Sequence, residues 1–355
     1  GSQYDYSFGK CIFMPADLTA GIEFNQDKLE DNMWGYHRTV DQKVNIGSAF
    51  FQNEWKNEHW GFLIGGRLDK HNLIDHVIFS PRANLRYNPT ENINLRFSYS
   101  SGFRAPQAFD EDLHVKNVGG NVAMVELADN LKEERSQSLS ASADIYHRFG
   151  AFQVNFLVEG FYTKLSDVFA LTDGEVVDGI LTRTRYNAPG ARVMGLTLEG
   201  KMAYLTKFQV QAGVTLQQSH YSEPHVWNKE APAVKKMMRT PNTYGYFTAT
   251  YTPIKPLSIA LSGTYTGSML VPHEPVPGFL EKPITVNTKD FFDIGLKAAY
   301  DFKLYKSMNL QVNAGVQNIF NAYQNDFDKG ADRDSGYIYG PSLPRSFFAG
   351  VKISY

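Results

Sequence analysis

The chain is poor in cysteine and has no long apolar run, and these two absences exclude several classes of protein. Among its 355 residues, Cys11 is the only cysteine, so no intrachain disulfide can stabilise the fold. No stretch approaches the roughly 18 to 20 consecutive apolar residues that a membrane helix requires. A helical membrane protein is therefore excluded, and stability must come from backbone pairing and packing.

An excess of charge of one sign is also lacking. The 35 Lys and Arg residues nearly balance the 37 Asp and Glu residues, which leaves a formal net charge of −2. No basic excess predicts a nucleic-acid partner, and no acidic block predicts a disordered tail. The sequence has no Gly-x-Ser-x-Gly elbow, no His-Glu-x-x-His pair and no phosphate-binding loop, so we expect no enzyme.

Aromatic residues and a two-residue alternation are abundant instead. Phe and Tyr number 25 and 20, which is high for a soluble domain and typical where rings gather at a membrane interface. From Asn92 to Ser100, apolar residues fall on one face of a strand and polar residues on the other. The same alternation recurs near Ser136 and from Met308 onward. A strand with lipid on one side and water on the other needs only every second residue to be apolar.

The connections between these strands alternate in length along the whole chain. Short turns are predicted near 14–17, 56–59, 88–91, 148–151, 204–207, 253–256 and 304–307. Long polar loops are predicted at about 26–42, 69–77, 102–133, 165–191, 220–240, 267–289 and 318–344. An up-and-down barrel of an outer membrane has this asymmetry, with tight turns at one rim and large loops at the other.

These patterns predict an all-β fold, an up-and-down antiparallel transmembrane β-barrel with about fifteen strands. Tyrosines on the apolar face beside short turns or the chain end predict an aromatic girdle: Tyr87, Tyr204, Tyr251, Tyr300 and Tyr355. Apolar residues in one alternation phase are predicted to face lipid: Leu95, Phe97, Leu310, Val312, Val351 and Ile353. Because single-chain bacterial barrels have even strand counts, an odd count predicts that residues 1–355 are the C-terminal portion of a larger barrel.

Three ordered segments carry a resemblance to a known family. They are YSSGFRAP at 99–106, at the outer end of a predicted upward strand, VQNIFN at 316–321 and PRSFFAG at 344–350. Together they resemble motifs of the TonB-dependent outer-membrane receptors, in the order and positions that the family gives them. The resemblance covers essentially the whole chain.

The resemblance implies a barrel of about 22 strands with an N-terminal plug domain, of which the plug and the first strands are missing here. It implies an integral β-barrel of the outer membrane that imports a bulky, scarce nutrient such as a ferric siderophore, haem or a corrinoid. TonB would act through the missing N-terminal region. Expected partners are outer-membrane lipid, lipopolysaccharide and possible surface lipoproteins. The strands alone leave an alternative, a passive porin or a structural outer-membrane barrel.

Loop aromatics and histidines are the predicted substrate contacts, because a large planar ligand would arrive at the loops. They are Trp34, Tyr36, His37, His220, Tyr221, His225, Trp227, Tyr337 and Tyr339. The alternative is that these rings pack loops against one another or lie among lipid headgroups. Charges on the polar face of the strands, such as Arg67, Asp69, Glu199 and Lys201, are expected to pair within the wall or with the plug.

Two acidic loop segments are candidate metal sites: the first could ligate a hard cation or hold a cationic ligand, and the second resembles a calcium loop. Their carboxylates are Asp110, Glu111 and Asp112 in the first segment and Asp326, Asp328, Asp332 and Asp334 in the second. The second segment lacks the glutamate that an EF-hand has at its twelfth position. A solvated or salt-bridged loop is the alternative for both.

Overall fold

A computed structural model describes residues 1–36, 38–106, 122–172, 175–177, 180–305, 307–341 and 343–355. Within these ranges the protein consists of β-strands and one short 3-10 helix at Trp34–Tyr36. In chain order the strands are β1 (Ser2–Cys11), β2 (Met14–Met33), β3 (Arg38–Lys56), β4 (Trp60–His71), β5 (Ile78–Thr90), β6 (Ile93–Arg104), β7 (Val122–Leu127), β8 (Glu134–Phe149), β9 (Phe152–Ser166), β10 (Val168–Leu171), β11 (Glu175–Val177), β12 (Ile180–Ala188), β13 (Ala191–Tyr204), β14 (Phe208–His225), β15 (Val234–Lys236), β16 (Thr243–Ile254), β17 (Leu257–Thr266), β18 (Leu270–His273), β19 (Ile284–Asn287), β20 (Phe291–Tyr305), β21 (Met308–Gln317) and β22 (Ser346–Ser354).

One large sheet forms the wall of the molecule. Its strand order is β1-β2-β3-β4-β5-β6-β8-β9-β13-β14-β16-β17-β20-β21-β22, with β15 attached to β14. Each wall strand is antiparallel to the wall strand before it and to the one after it, as in an up-and-down barrel wall. The all-β, up-and-down fold and the fifteen wall strands are confirmed.

Alternation gives the wall one apolar and one polar face. Val312 lies opposite both Tyr300 and Val351, and Leu95 lies opposite Tyr87 and Ala143, so apolar side chains continue across neighbouring strands. We call this apolar face the outer face and the opposite one the inner face. The side chains predicted to face lipid all lie on the outer face, where Leu310 is half-buried and the others are 38–67% exposed.

The short turns all join strands at one rim, as predicted, because successive wall strands reverse direction. They contain two or three residues each. Aromatic rings gather beside them: the Trp60 and Tyr87 ring centroids lie 4.2 Å apart, and those of Phe152 and Tyr204 lie 4.6 Å apart. The arrangement agrees with the predicted girdle at this rim.

Two predicted boundaries are wrong. The first turn occupies residues 12–13 and not 14–17, because Ile12 adopts a positive φ of 64° and reverses the chain directly after β1. Residues 26–42 are not mainly a loop, since β2 and β3 stay paired from Ala16↔Trp55 to Met33↔Arg38. A hairpin that extends into water needs no apolar face, so its polar sequence resembles that of a loop.

The long loops at the other rim contain strands of their own, which the sequence did not predict. β10, β12 and β11 form an antiparallel sheet between β9 and β13, and β7 from the preceding loop adds to β12 in parallel. β18 and β19 form a separate hairpin. In the described ranges, no helix is both long and apolar enough to cross a membrane.

Candidate ligand-binding site

A pocket of about 390 Å³ lies at the loop rim. There the sheet formed by β7, β10, β11 and β12, which we call the loop sheet, meets the ends of wall strands. We call this cavity the arginine pocket after its most frequent charged residue. Its lining residues come from seven separate stretches of the chain: Arg104, Phe169, Ala170, Leu171, Arg183, Arg185, His225, Trp227, Met238, Arg239, Pro272, Glu274, Asp334 and Gly336. Such convergence of distant segments on one cavity is typical of a binding site.

Local structure explains how the four arginines reach the pocket. Arg183 and Arg185 are two residues apart in β12, so they point to the same face of that strand. Arg104 is the last residue of β6. Arg239 has a positive φ of 56°, and its Nη1 donates to the Ile338 carbonyl over 2.9 Å. Its other terminal nitrogen donates to the Gly336 carbonyl, so this arginine fixes the 318–344 loop at the pocket.

Positive charge exceeds negative charge in the lining. Four guanidinium groups face two carboxylates, Glu274 and Asp334. Glu274 lies 3.7 Å from the Arg183 guanidinium and accepts a 2.9 Å bond from the Asn228 amide. Asp334 already accepts backbone N–H groups of Glu274 and Gly336, each over 2.8–2.9 Å. Since partly buried charges are costly unless compensated, the pocket is electrostatically suited to an anion.

Aromatic rings and unpaired donors complete the surface. The guanidinium carbons of Arg104 and Arg185 lie 5.5 and 5.9 Å from the centre of the Phe169 ring, within cation–π range. The buried Trp227 Nε1 and Arg183 Nε have no hydrogen-bond partner within the described residues. Because buried donors are normally paired, these two N–H groups are suited to acceptor atoms of a ligand.

The structure brings two of the nine predicted contact residues, His225 and Trp227, into the pocket. Burial lowers the pKa of the His225 imidazole, which favours its neutral form. The Tyr221 ring packs against the His225 ring, and the two ring centroids lie 4.7 Å apart. His220 lies elsewhere, opposite Arg192 in the wall.

Tyr337 and Tyr339 pack loops together. Tyr337 is 3% exposed, and its ring stacks on His273 at a centroid distance of 3.8 Å. The Tyr339 hydroxyl donates to Asp326 over 2.5 and 2.6 Å. Burial and the nearby Asp326 carboxylate raise the pKa of Tyr337 to about 12. Burial and the hydrogen bond to Asp326 also raise the pKa of Tyr339.

Trp34 and Tyr36, two of the remaining predicted contacts, lie at the tip of the hairpin formed by β2 and β3. Trp34 is 84% exposed there, and Tyr36 ends the same 3-10 helix. His37 lies outside the described residues. Trp34 is not among the residues that line the arginine pocket. Substrate contact at these hairpin positions therefore stays a prediction.

The acidic residues of the 318–344 loop have separate partners. Asp326 accepts the tyrosine hydroxyls, Asp328 pairs with His273 Nε2 at 2.9 Å, and Asp334 accepts backbone N–H groups. Asp332 is exposed. No cluster of three or more His, Cys, Asp or Glu side chains gathers at a metal-binding spacing in the part of the chain that the structure describes. Asp110, Glu111 and Asp112 lie outside it, so the calcium hypothesis gains no support.

Sequence reasoning missed most of this pocket. The spacing of Arg183 and Arg185 indicates two cations on one strand face, and Arg104 lies inside the YSSGFRAP segment. Neither signal shows that β6, β12 and the segment near Arg239 meet, because more than 50 residues separate each from the next. The loop sheet places Arg183 and Arg185 of β12 beside the other two arginines.

Several inner-face charges pair within the wall, as predicted. Arg67 lies 2.9 Å from Glu23 and 2.8 Å from Asp69, and Lys201 lies 2.8 Å from Glu199. These cations have carboxylate partners inside the wall.

With the fold and pocket described, comparison with known proteins defines the class. Residues 2–319 match the family described as TonB dependent receptor-like, beta-barrel. The chain therefore belongs to the TonB-dependent receptors, as its barrel part, and the resemblance drawn from the three motifs is confirmed. No curated protein sequence matches it.

Solved structures share this architecture. The siderophore receptor PirA from Acinetobacter baumannii aligns with a TM-score of 0.70 at 16% identity, over 98% of this chain and 53% of that one. The ferric enterobactin receptor PfeA from Pseudomonas aeruginosa, in a mutant bound to enterobactin, gives 0.70 at 18%, with 98% and 53% coverage. The ferric-catecholate import receptor Fiu from E. coli K12 gives 0.68 at 15%, also with 98% and 53%. At these identities the likeness shows the fold, and the chain spans about half the length of these receptors.

Proposed function

We propose that the intact protein is an active importer of the outer membrane that captures a bulky anionic solute, with a ferric siderophore as the preferred candidate. The observation that carries this proposal is the surplus of guanidinium groups in the arginine pocket, beside Trp227 and Phe169. Energy would come through TonB, as in the family to which the chain belongs.

The chemistry of the pocket supports this substrate class. Arginine pairs with planar or oxygen-rich anions through two parallel N–H bonds, and aromatic rings stack on flat ligand groups. Ferric chelates built from catecholate or carboxylate oxygens carry both features. The solved receptors with the same fold are named for siderophores, ferric enterobactin and ferric catecholates, which agrees with this choice.

The same surplus of charge ranks the other solutes lower. A corrinoid offers mainly neutral amide groups, and haem offers two carboxylates at one edge of an apolar ring. Neither uses four guanidinium groups spread over several walls of a pocket. A passive porin needs no pocket with unpaired buried donors, so the porin alternative is also disfavoured.

Binding and uptake in intact cells test the proposal. In the full-length receptor, Arg104→Gln combined with Arg183→Gln should weaken binding of the cognate ferric siderophore about 100-fold, since each charged hydrogen bond contributes about 1.5 kcal/mol. Arg86→Gln combined with Arg96→Gln, on the inner face of β5 and β6, is the matched control, because it removes the same two charges outside the pocket. It should leave affinity unchanged.

A transport assay in intact cells is the second part of this test. Loss of TonB should abolish accumulation of the labelled ferric siderophore while surface binding persists. Non-saturating uptake that survives loss of TonB would overturn the importer, and equal affinity in the pocket variant and control would overturn the site.

A further inference from the structure

One residue of the arginine pocket differs in kind from the charged residues around it. His225 ends β14, is half-buried, and lines the pocket together with Trp227. An imidazole ring gains or loses a proton near neutral pH, whereas a guanidinium group stays charged at every pH of interest. The protonation state of His225 therefore changes the charge of the pocket, which the arginines cannot do.

The His225 ring is held by packing and not by hydrogen bonds. On its own strand, the Tyr221 ring packs against it. Among the described residues, neither of its ring nitrogens has a hydrogen-bond partner. β15 lies beside it through the pairing of His225 with Val234, and its residues Val234–Lys236 include no carboxylate. Both ring nitrogens are therefore free to meet a ligand or a proton.

The charged groups that share the pocket with His225 are mainly cationic. They are Arg104 of β6, Arg183 and Arg185 of β12, Arg239, Glu274 and Asp334. Along the chain, β14 adds the exposed Glu223, and β15 adds Lys235 and Lys236. Both pocket carboxylates already accept hydrogen bonds, Glu274 from the Asn228 amide and Asp334 from backbone N–H groups. His225 thus has no carboxylate partner of its own.

The empty pocket favours the neutral imidazole. Burial lowers the pKa of His225, because a charged ring loses hydration in a partly enclosed site. A further positive charge is also unfavourable beside four guanidinium groups. An anion in the pocket reverses this balance, since it compensates the guanidinium charge and offers acceptor atoms to a protonated ring, which donates from both nitrogens.

We propose that His225 takes up a proton as an anion enters the arginine pocket, so that capture of the solute is coupled to protonation of the receptor. This role rests on the anion-binding function proposed for the pocket and adds to it a residue that makes affinity depend on acidity. The imidazole gains one proton from the solvent, and no bond of the solute is made or broken.

The sign of the coupling follows from linkage. The pKa of His225 is lowered while the pocket is empty, and a bound anion raises it. Affinity for the anion therefore increases as pH falls from the pKa of the occupied pocket to that of the empty pocket. Above this interval the ring is neutral in both states, and below it the ring is charged in both, so affinity is constant there.

The opposite sign would result if a neutral ring contacted the solute. A neutral His225 could accept a hydrogen bond from the solute or bind its iron directly, and a proton would then compete with the solute for the same nitrogen. The surplus of guanidinium groups favours the protonated contact, because the solute that these groups attract brings acceptor oxygens to the pocket.

Binding of a permanent anion to the full-length receptor tests the coupling. Naphthalene trisulfonate is the probe, because it is flat and its sulfonate groups stay ionised throughout, so that only the receptor titrates. Isothermal titration calorimetry between about pH 5 and 8, the range in which histidine titrates, gives its affinity. Repeating the titrations in buffers of different ionisation enthalpy gives the number of protons taken up.

The test variant is His225→Gln, which keeps a polar side chain but cannot become charged. The control is His147→Gln, which removes an exposed imidazole of β8 outside the pocket. We expect the unmodified receptor and the control to bind the probe more tightly as pH falls, by up to about tenfold per pH unit within the coupled interval, with uptake of up to about one proton. His225→Gln should lose both the pH dependence and the proton uptake.

Three results would overturn the role of His225 while leaving the anion pocket intact. They are binding of the probe without proton uptake, affinity that falls with acidity, and an undiminished pH dependence in His225→Gln, which would assign the proton to Glu274 or Asp334. Absence of probe binding at every pH would overturn the anion pocket itself, and the role of His225 with it.

Discussion

The inner face of the wall and the arginine pocket use the same kind of residue in opposite ways. On the inner face, Arg67 contacts Glu23 and Asp69, and Ser48 donates to Asp69 over 2.6 Å. In the pocket, four arginines share two carboxylates that also accept bonds from neighbouring N–H groups. Closed charge networks hold a sheet together, whereas a surplus of one sign is left for a ligand.

This difference teaches how to separate structural charges from functional ones in a barrel wall. The number of charged residues does not distinguish the two regions. What distinguishes them is the balance of charge, because each of the inner-face cations Arg67 and Lys201 lies beside a carboxylate, whereas the pocket lining holds four guanidinium groups and two carboxylates. Four tests would break or sharpen the contrast between structural and functional regions, and they are ordered by the size of the expected effect.

The largest effect is expected at Asp69, which is 2% exposed and contacts both Arg67 and Ser48. Asp69→Ala removes the buried carboxylate and leaves the partly buried Arg67 guanidinium with Glu23 and the Ser48 hydroxyl, and removal of one partner of a buried ion pair costs about 3–5 kcal/mol. The free energy of unfolding in lipid vesicles, from urea titration, should fall by that order. Solute affinity should not change, and a loss of affinity without a loss of stability would break the comparison.

The second test compares the two faces of one strand. Leu310→Arg places a charge on the outer face of β21 and should cost roughly 2–4 kcal/mol if the residue is near the membrane midplane. Gln311→Arg is the matched control, because it introduces an arginine at the next position, on the inner face. There the Asp301 carboxylate, which lies 2.9 Å from the Gln311 amide, can pair with the new charge. Unfolding titrations should separate the variants, and equal destabilisation would refute the assignment of the faces.

The third test concerns the loop aromatics. Trp227→Ala removes a ring and an unpaired indole donor from the pocket, and we expect solute affinity to fall by about 1–3 kcal/mol. Trp34→Ala is the control, since Trp34 is an exposed ring at a distant hairpin tip. An equal effect at the two positions in equilibrium binding would move the contact surface away from the pocket.

The smallest effect is expected from pH. Because the pKa of Tyr337 is raised to about 12 from an ordinary value of about 10, the folded loop favours the neutral phenol. Its stabilising contribution is fully present below pH 10 and is lost as pH rises towards 12. Limited proteolysis of the 318–344 loop should accelerate over that interval, less steeply in Tyr337→Phe. An identical pH profile in both proteins would contradict this account.

The wall was predictable because the environment of its side chains alternates between lipid and water with every residue. A strand between lipid and water must alternate, so residues such as Leu95 and Val312 reveal their face from sequence alone. Turn positions followed from the same pattern, except near Ile12, where a non-glycine residue adopts positive φ. Where β2 and β3 extend into water, the requirement for alternation disappears and the prediction failed.

The pocket was not predictable for the opposite reason. Trp227 and His225 were found because aromatic and histidine residues in a loop are conspicuous. Arg104, Arg183 and Arg239 become a site only through contacts between distant segments, and no local pattern encodes those contacts. The pairing of β7 with β12 joins two loops that are consecutive at the rim but separated in sequence by β8 and β9.

Because of that pairing, β12 belongs to a sheet that two separate loops share. Six residues of β12, Ile180 to Arg185, are in register with β7, while Ile180–Thr182 also pair with β11 and Arg185–Ala188 pair with β10. Neither loop can swing outward alone without breaking this ladder, so the two must move as one lid. A lid of this kind fluctuates less than two free loops, and its ordering entropy is lost during folding and not at capture. Under the proposed function, a solute held by Arg183 and Arg185 would act through this ladder on β7 as well.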